Sequence, residues 1–154
     1  MTISTATGCK IYIGTNLAAE GLSQYLSDTF IEVGEVEDLG EFGDNAEDVT
    51  FASLSDSRMR HLKGVKDAGV ISVVCGADVS DAGQDAMIVA EASVLDFNFK
   101  IVLNDQLTIS GSPSEHFFRG KVMSKRLGVG QANNIVRRTF NVGINTAITE
   151  VPAT

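Results

Sequence analysis

The sequence predicts a mainly β protein: a single sandwich-like or barrel-like domain with one flanking α-helix. Three observations support this prediction. Seven or eight short apolar runs have the alternation typical of strands, turn residues such as Gly, Asn and Asp separate them, and one further stretch has helical spacing. A chain of 154 residues can also bury one hydrophobic core without disulfides or metals. Residues 1–154 are therefore expected to form one domain.

The predicted strands follow one another along the chain. The first alternates around Ile11 and Ile13 and ends at Gly14. Asn104 and Asp105 lie between two apolar runs and predict a tight hairpin, because both residue types tolerate a positive φ. In chain order the predicted strands are residues 9–13, 30–36, 49–54, 70–75, 97–103, 107–110, 117–123 and 135–144.

One helix is predicted over residues 82–93. Asp81 can accept the first free backbone amides, and Gln84 can reach back towards it, as in a capping box. Residues 16–26 are a weaker candidate, because Gly21 lowers helix propensity there by about 1 kcal/mol; a loop with one helical turn is expected instead. The predicted buried stripe of the main helix consists of Ala82, Ala86, Val89 and Ala90.

Charge is sorted into blocks along the chain. Residues 1–57 contain one base and eleven acids, whereas residues 58–154 contain eleven bases and nine acids. Residues 39–48 have no apolar period and predict a long exposed loop, and an irregular basic segment is expected to follow it. Opposite charge blocks on a small surface can meet between copies as readily as within one copy. The pattern therefore favours self-association.

Nothing in the sequence indicates catalysis or a bound metal. Cys9 and Cys75 have no second Cys or His two to four residues away, so we expect buried reduced thiols, with a disulfide between them left open. His61 and His116 lie outside any catalytic motif, and the common hydrolase, zinc-protease and phosphate-loop motifs are absent from the sequence. We expect neither enzyme activity nor a cofactor.

The sequence also bears on location and on nucleic-acid binding. No apolar run approaches the ~20 residues that cross a bilayer, and no signal sequence is recognisable, so we expect a soluble, cytoplasmically made protein. Phe117 and Phe118 beside the basic residues 119–138 could stack on single-stranded nucleic acid. A net charge of −8 disfavours that alternative, because phosphate binding needs an excess of bases.

Five segments, in their order along the chain, resemble the tail tube (major tail) proteins of long non-contractile-tailed bacteriophages. The resemblance covers about residues 7–145, and it is the order of the segments that makes it specific. The segments are 7–14 (TGCKIYIG), 31–43 (IEVGEVEDLGEFG), 58–69 (RMRHLKGVKDAG), 81–84 (DAGQ) and 128–136 (GVGQANNIV).

This resemblance implies a structural virion protein of the phage tail, made and assembled in the bacterial host cytoplasm. Such proteins form sixfold rings whose inner sheets join into a ring-lining β-barrel, and the rings stack into a hollow tube. The implied partners are further copies of the chain and the tail tip, tape-measure and tail terminator proteins, while DNA passes through the lumen without tight binding. A binding module for carbohydrate or protein, at the tail tip or elsewhere, remains the main alternative, because a fold does not determine a function.

The resemblance and the charge blocks together imply where copies meet. A long interaction loop over residues 37–66 is expected to reach the neighbouring ring, and residues 1–6 and 149–154 are expected to be flexible arms. Strand 135–144 is expected to close the barrel between subunits through Ile135, Phe140, Val142 and Ile144. The expected charged contacts are Glu35, Glu37, Asp38, Glu41, Asp44, Glu47, Asp48, Arg58, Arg60, Lys63, Lys66, Arg119, Lys121, Lys125, Arg126, Arg137 and Arg138.

Overall fold

A computed structural model describes residues 3–154 and shows a mainly β chain. About 42% of the residues lie in strands and 11% in helices, which confirms the predicted fold class. The strands are β1 Lys10–Ile13, β2 Ile31–Glu32, β3 Val36–Asp38, β4 Asn45–Ala52, β5 Met59–Asp67, β6 Val70–Gly76, β7 Phe97–Val102, β8 Glu115–Gly128, β9 Arg137–Ile144 and β10 Thr149–Val151. The helices are α1 Leu22–Ser27 and α2 Ala82–Ala92.

Eight of these strands form one curled sheet in the order β2-β1-β7-β8-β9-β6-β3, with β10 added beside β8. All pairings are antiparallel. Strand β8 is long enough to pair with strands of both halves of the sheet. Its first residues pair with β7, up to Gly120 opposite Phe97, and its remaining residues pair with β9. Strand β8 therefore joins the two halves of the curled sheet.

The main core lies between the curled sheet and α2. Alternating residues of β6 and β9 are buried, as period-two strands predict, and Phe99 stacks on Phe118 with ring centroids 5.4 Å apart. A smaller cluster forms where Tyr25 of α1 stacks on Phe117 at 5.4 Å. The buried members of the main core include Ile11, Ile13, Ile71, Val73, Met87, Phe99, Ile101, Phe118, Phe140 and Val142.

Helix α2 begins where it was predicted, with the Asp81 carboxylate accepting a hydrogen bond from the Gln84 amide at 2.8 Å. The Gln84 side chain does not complete a capping box. It is fully buried and donates to the carbonyls of Gly34 and Gly76 at 3.1 and 2.8 Å, so it ties the helix to the sheet. Helix α2 also approaches closely at Gly83, because a β-carbon there would lie 2.0 Å from the Glu32 carbonyl.

The predicted alanine stripe of α2 is only partly correct. Ala90 is fully buried and Ala86 is half-buried, whereas Ala82 and Val89 are exposed. The buried face is rotated from the predicted one because the polar side chain of Gln84 is buried, with its hydrogen bonds made to backbone carbonyls of the sheet. Hydrophobic spacing alone cannot reveal a buried polar residue. That face consists of Gly83, Gln84, Met87 and Ala90.

Strands β4 and β5 form a separate two-stranded hairpin. The predicted loop is therefore correct over residues 39–44 but ends before β4, the predicted strand over residues 49–54 coincides with the second half of β4, and the predicted irregular basic segment was wrong because it forms β5. The pairing runs from Asn45 opposite Asp67 to Ala52 opposite Met59, with one register shift between Ala46 and Asp48. The shift interrupts the alternation, and nearly every residue of both strands is exposed. Exposed strands lack the apolar period by which strands are recognised.

Four smaller predictions differ from the structure in detail. Residues 107–110 form turns and not a strand, and the Asn104–Asp105 pair does not make a tight hairpin, because twelve residues separate β7 from β8. The predicted strand over residues 30–36 is divided into β2 and β3 at Glu35, whose φ of 56° lies in the left-handed region. Of residues 16–26, the last five belong to the short helix α1.

The expected C-terminal arm is ordered. Strand β10 pairs with β8, placing Thr149 opposite Phe117, and Thr154 exchanges backbone hydrogen bonds with Leu107 and Ser112. These backbone hydrogen bonds keep the C-terminal segment ordered. They could not be predicted, because the segment has no strand-like residue pattern. Of the expected arm over residues 1–6, the first two residues lie outside the described part of the chain. Within residues 3–154, no helix has the length and hydrophobicity of a membrane span.

Candidate assembly surface

Strand β9 occupies the interior of the sheet, between β8 and β6. Its backbone is therefore paired on both sides, and Phe140 and Val142 are fully buried in the subunit core, with Ile144 only 6% exposed. The prediction that these residues close a barrel between subunits was wrong, because an interior strand has no free edge to offer. Ile135 precedes β9 and is the one member of that set that is exposed.

Glu37, one of the acids between residues 32 and 48, forms an ion pair with Arg137 of its own chain. The Arg137 guanidinium donates to its carboxylate from Nε to Oε2 at 2.5 Å and from Nη2 to Oε1 at 3.2 Å. The hydrogen bond from Arg137 lowers the pKa of Glu37 and raises that of Arg137. This pair belongs to the subunit, so neither charge is free for a neighbour.

Arg119 serves the interior of the subunit and not an interface. Its guanidinium donates to the carbonyls of Leu17, Asn16 and Asp96 and to the buried Asn98 side chain. The neighbouring Lys121 lies 3.5 Å from the Asp96 carboxylate. These two basic residues in the middle of β8 therefore hold the loop before α1 and the loop before β7 in place.

The same polar region contains Asp28, whose carboxylate accepts from the Thr15 hydroxyl at 2.6 Å, the Thr15 amide at 3.0 Å and the Asn98 amide at 2.7 Å. Burial alone would raise the pKa of Asp28, but the hydrogen bonds from Thr15, Asn98 and Thr29 outweigh it and lower the pKa. This network connects β1, α1 and β7.

The hairpin contains two internal charge contacts. The Asp48 carboxylate lies 2.9 Å from His61 Nδ1, and Arg60 lies 3.0 Å from Asp56. Elsewhere in the predicted set, most charges have no opposite partner within residues 3–154 at ion-pair distance. These are Glu35, Asp38, Glu41, Asp44, Glu47, Arg58, Lys63, Lys66, Lys125, Arg126 and Arg138.

Sequence reasoning named the charges of the hairpin but missed its exposed apolar side chains. Phe51 is 54% exposed, Leu62 58% and Val65 76%, and Leu54 at the tip is fully exposed. Several exposed large apolar side chains on one element are typical of an interaction site. The signal was present in residues 59–65, where apolar and basic residues are interleaved.

The curled sheet, its two helices and the hairpin are similar in fold to subunits of phage tails and related assemblies. The chain is similar to a chain of the anti-feeding prophage (AFP) baseplate, determined by cryo-EM with sixfold symmetrisation, with a TM-score of 0.68 and 11% identity. That alignment covers 99% of this chain and 97% of the other.

Two further structures are similar over most of the chain. The SPP1 tail tube, solved by solid-state NMR and cryo-EM, has a TM-score of 0.65 at 14% identity and covers 94% of this chain and 76% of that chain. A chain from the tail of an empty GTA particle, refined helically with C6 symmetry, has a TM-score of 0.63 at 18% identity, with 97% and 99% covered. No protein-family model and no curated protein sequence matches the chain. At these identities the likeness establishes the fold.

Proposed function

We propose that this chain is a structural subunit of a tail tube, without catalytic activity, which forms hexameric rings that stack into a hollow conduit for DNA. The observation that carries the proposal is the β4–β5 hairpin. It extends the chain by two strands that expose apolar side chains, on a fold similar to that of tail tube proteins. An isolated two-stranded hairpin is marginally stable in water, so a surface of this kind is best explained by contact with another subunit.

The charge distribution supports stacking by unlike surfaces. Among residues 3–154, several acids of residues 32–48 and several bases of the hairpin and of the end of β8 have no ion-pair partner. A contact between two different patches of the same chain is heterologous, and it continues into a filament instead of stopping at a dimer. The interaction segment over residues 37–66 is proposed to carry this contact, now as a hairpin and not as a loop.

The remaining parts of the proposal follow from the sequence resemblance and from the neighbours. The sixfold ring is supported by the symmetry of the AFP baseplate and the GTA tail. A net charge of −8 for each copy gives the assembled tube as a whole an excess of negative charge, which favours passage of DNA over adhesion. We propose a long non-contractile phage tail as the location, assembly in the host cytoplasm, and tail tip, tape-measure and terminator proteins as partners.

Electron microscopy of concentrated protein tests the proposal. We expect negatively stained rings or striated hollow rods from the natural sequence, and none from Phe51→Ser with Leu62→Ser, which removes two apolar contacts without touching the core. The matched control is Val79→Ser with Val94→Ser, which removes two valines that are each 82% exposed outside the hairpin. Particles of monomer size for all three proteins at millimolar concentration would contradict a tube role.

A further inference from the structure

The chain has two histidines, and one of them lies on the β4–β5 hairpin. His61 Nδ1 lies 2.9 and 3.0 Å from the two carboxylate oxygens of Asp48. The other histidine, His116, lies in the large sheet, where its ring meets the ring of Phe42 edge-on with centroids 5.3 Å apart. Histidine is the side chain whose charge ordinarily changes between pH 5 and 8. A change in the charge of the hairpin near neutral pH is therefore a change at His61.

The His61–Asp48 pair and the exposed apolar side chains lie on opposite faces of the hairpin. Asp48 lies opposite Lys63 in the pairing, so it is a diagonal neighbour of His61, two residues earlier on β5. Val49 and Leu62 form the next cross-strand pair, and their side chains point to the other face, because successive side chains of a strand alternate. The ion pair therefore connects the two strands without occupying the apolar face.

The charged side chains that face His61 come from the hairpin and from the residue before it. They line an open groove together with His61, and they comprise three acids and two bases. The formal charge of the groove is therefore −1 while His61 is neutral and zero when His61 is protonated. Protonation removes the excess of negative charge. These charged residues are Asp44, Glu47, Asp48, Lys63 and Lys66.

The order of the hairpin depends on small energies. Within residues 3–154 its strands pair only with each other, and nearly every side chain is exposed. A two-stranded ribbon of this kind is marginally ordered in water. The side chains of His61 and Asp48 are 65% and 60% exposed, so their ion pair is a weak one. An exposed pair still changes a marginal equilibrium by roughly two- to fivefold.

The direction of the effect follows from the two charges. The ion pair contributes while His61 is protonated and Asp48 is ionised. Its contribution is therefore present in mildly acidic solution and is lost as the pH rises and His61 loses its proton. It is lost again in strong acid, where Asp48 is protonated. The positive charge on His61 also adds to the bases of the hairpin, which are proposed to meet the acids of another copy.

We propose that His61 and Asp48 form a pH-sensitive switch, which controls the order of the β4–β5 hairpin and, through it, assembly. Protonation of His61 completes the ion pair, orders the hairpin and lowers the protein concentration at which copies assemble. The effect on the hairpin is a property of the single subunit. The effect on assembly rests on the proposed tube function.

Limited proteolysis tests the hairpin in the unassembled chain. Trypsin cleaves after the Lys and Arg residues of β5, and His61→Gln keeps all of them. The ratio of the cleavage rates of two chains at one pH is independent of the pH response of trypsin itself. We expect His61→Gln to be cleaved roughly two- to fivefold faster than the natural chain at pH 6, and at an equal rate at pH 8. A ratio that is the same at both pH values would overturn the switch.

Two further variants separate the ion pair from other effects of pH. Asp48→Asn removes the partner carboxylate, so it should also be cleaved faster than the natural chain at pH 6. His116→Gln removes the histidine of the large sheet and should match the natural chain at both pH values. A response of His116→Gln equal to that of His61→Gln would contradict the assignment to the hairpin.

Light scattering at constant ionic strength separates the switch from the tube function. We expect the natural chain to assemble at a roughly two- to fivefold lower concentration at pH 6 than at pH 8, and we expect no such difference for His61→Gln. An equal pH response in both chains would overturn the control of assembly. A pH-dependent cleavage ratio without assembly at either pH keeps the switch on the hairpin and counts against the tube. Assembly with a constant cleavage ratio refutes the switch and leaves the tube role standing.

Discussion

Arg137 at the start of β9 binds Glu37 of β3 through two hydrogen bonds, across one hundred residues of sequence. The acids of residues 32–48 therefore fall into two groups, one paired within the subunit and one not. Glu37 closes the subunit upon itself, while acids on either side of it, including Glu35 and Glu41, keep no ion-pair partner within residues 3–154. A subunit that neutralised all of its charges internally would have no unlike patches for another copy.

The Glu37–Arg137 pair predicts a pH dependence. The pKa of Glu37 is lowered in the folded chain, so its contribution to stability is present above the ordinary pKa of about 4.5 and is lost as the pH falls through the lower folded value. Thermal melts of the natural chain and Glu37→Gln, measured between pH 7 and pH 2, should differ slightly at neutral pH and converge in acid. A difference that grows in acid would contradict the assignment. The change should be small, because the pair is solvent-exposed.

We expect truncation of the Phe140 side chain to cause a large loss of stability. Phe140→Ala should lower the free energy of unfolding by about 3 to 5 kcal/mol, because it leaves a cavity in the core between the sheet and α2. Urea denaturation of the variant measures this. Ile135→Ala, on the exposed segment before β9, is the control and should change stability by less than about 0.5 kcal/mol. If Phe140→Ala folded normally but lost assembly alone, β9 would after all be an interface strand.

We expect the stability of the folded chain to depend on the negative charge of Asp28. Asp28→Asn keeps the size but removes an oxygen that accepts from Thr15 and Asn98, so we expect a loss of about 1 to 3 kcal/mol by urea denaturation. Asp44→Asn, on an exposed residue of the unpaired acidic set, should be nearly neutral. The Asp28 contribution should fall away below the ordinary carboxylate pKa of about 3.8, because the folded value is lowered. Equal stability of the two variants would argue that the network is not structural.

The two cysteines should differ in reactivity. Burial raises the pKa of Cys75 to about 11, and its side chain is fully buried, whereas Cys9 is half-buried and both are free thiols. At pH 8 a maleimide should label Cys9 in the folded chain and reach Cys75 only after denaturation. Mass spectrometry of peptides from native and urea-treated protein checks this. Rapid native labelling of Cys75 would mean that β6 and β9 open locally.

The sequence predicted those elements whose cause is local. Strand β6 shows period-two alternation, and α2 has Asp81 at its N-cap, so both were found within one or two residues. The order of strands in the sheet depends on contacts between distant segments. For that reason the interior position of β9, and with it the burial of Phe140 and Val142, could not be deduced from its apolar pattern.

The candidate surface was predictable in part. The charge blocks were visible, yet which charges are consumed within the subunit depends on side-chain positions, as Arg119 and Glu37 show. Only the second half of β4 was predicted as a strand, and β5 was missed, because exposed strands do not show an apolar alternation and the pairing register shifts near Glu47.

Membership of β8 in both halves of the sheet has a consequence for cooperativity. The first residues of β8 supply backbone partners to β7 and β10 and the later residues to β9, so one continuous strand joins the two halves. The β8 amide protons that are bonded to β7 or β9 should therefore be among the slowest in the chain to exchange with deuterium. A building block whose two halves share a strand exposes little half-open sheet that could pair wrongly before the subunit reaches its place.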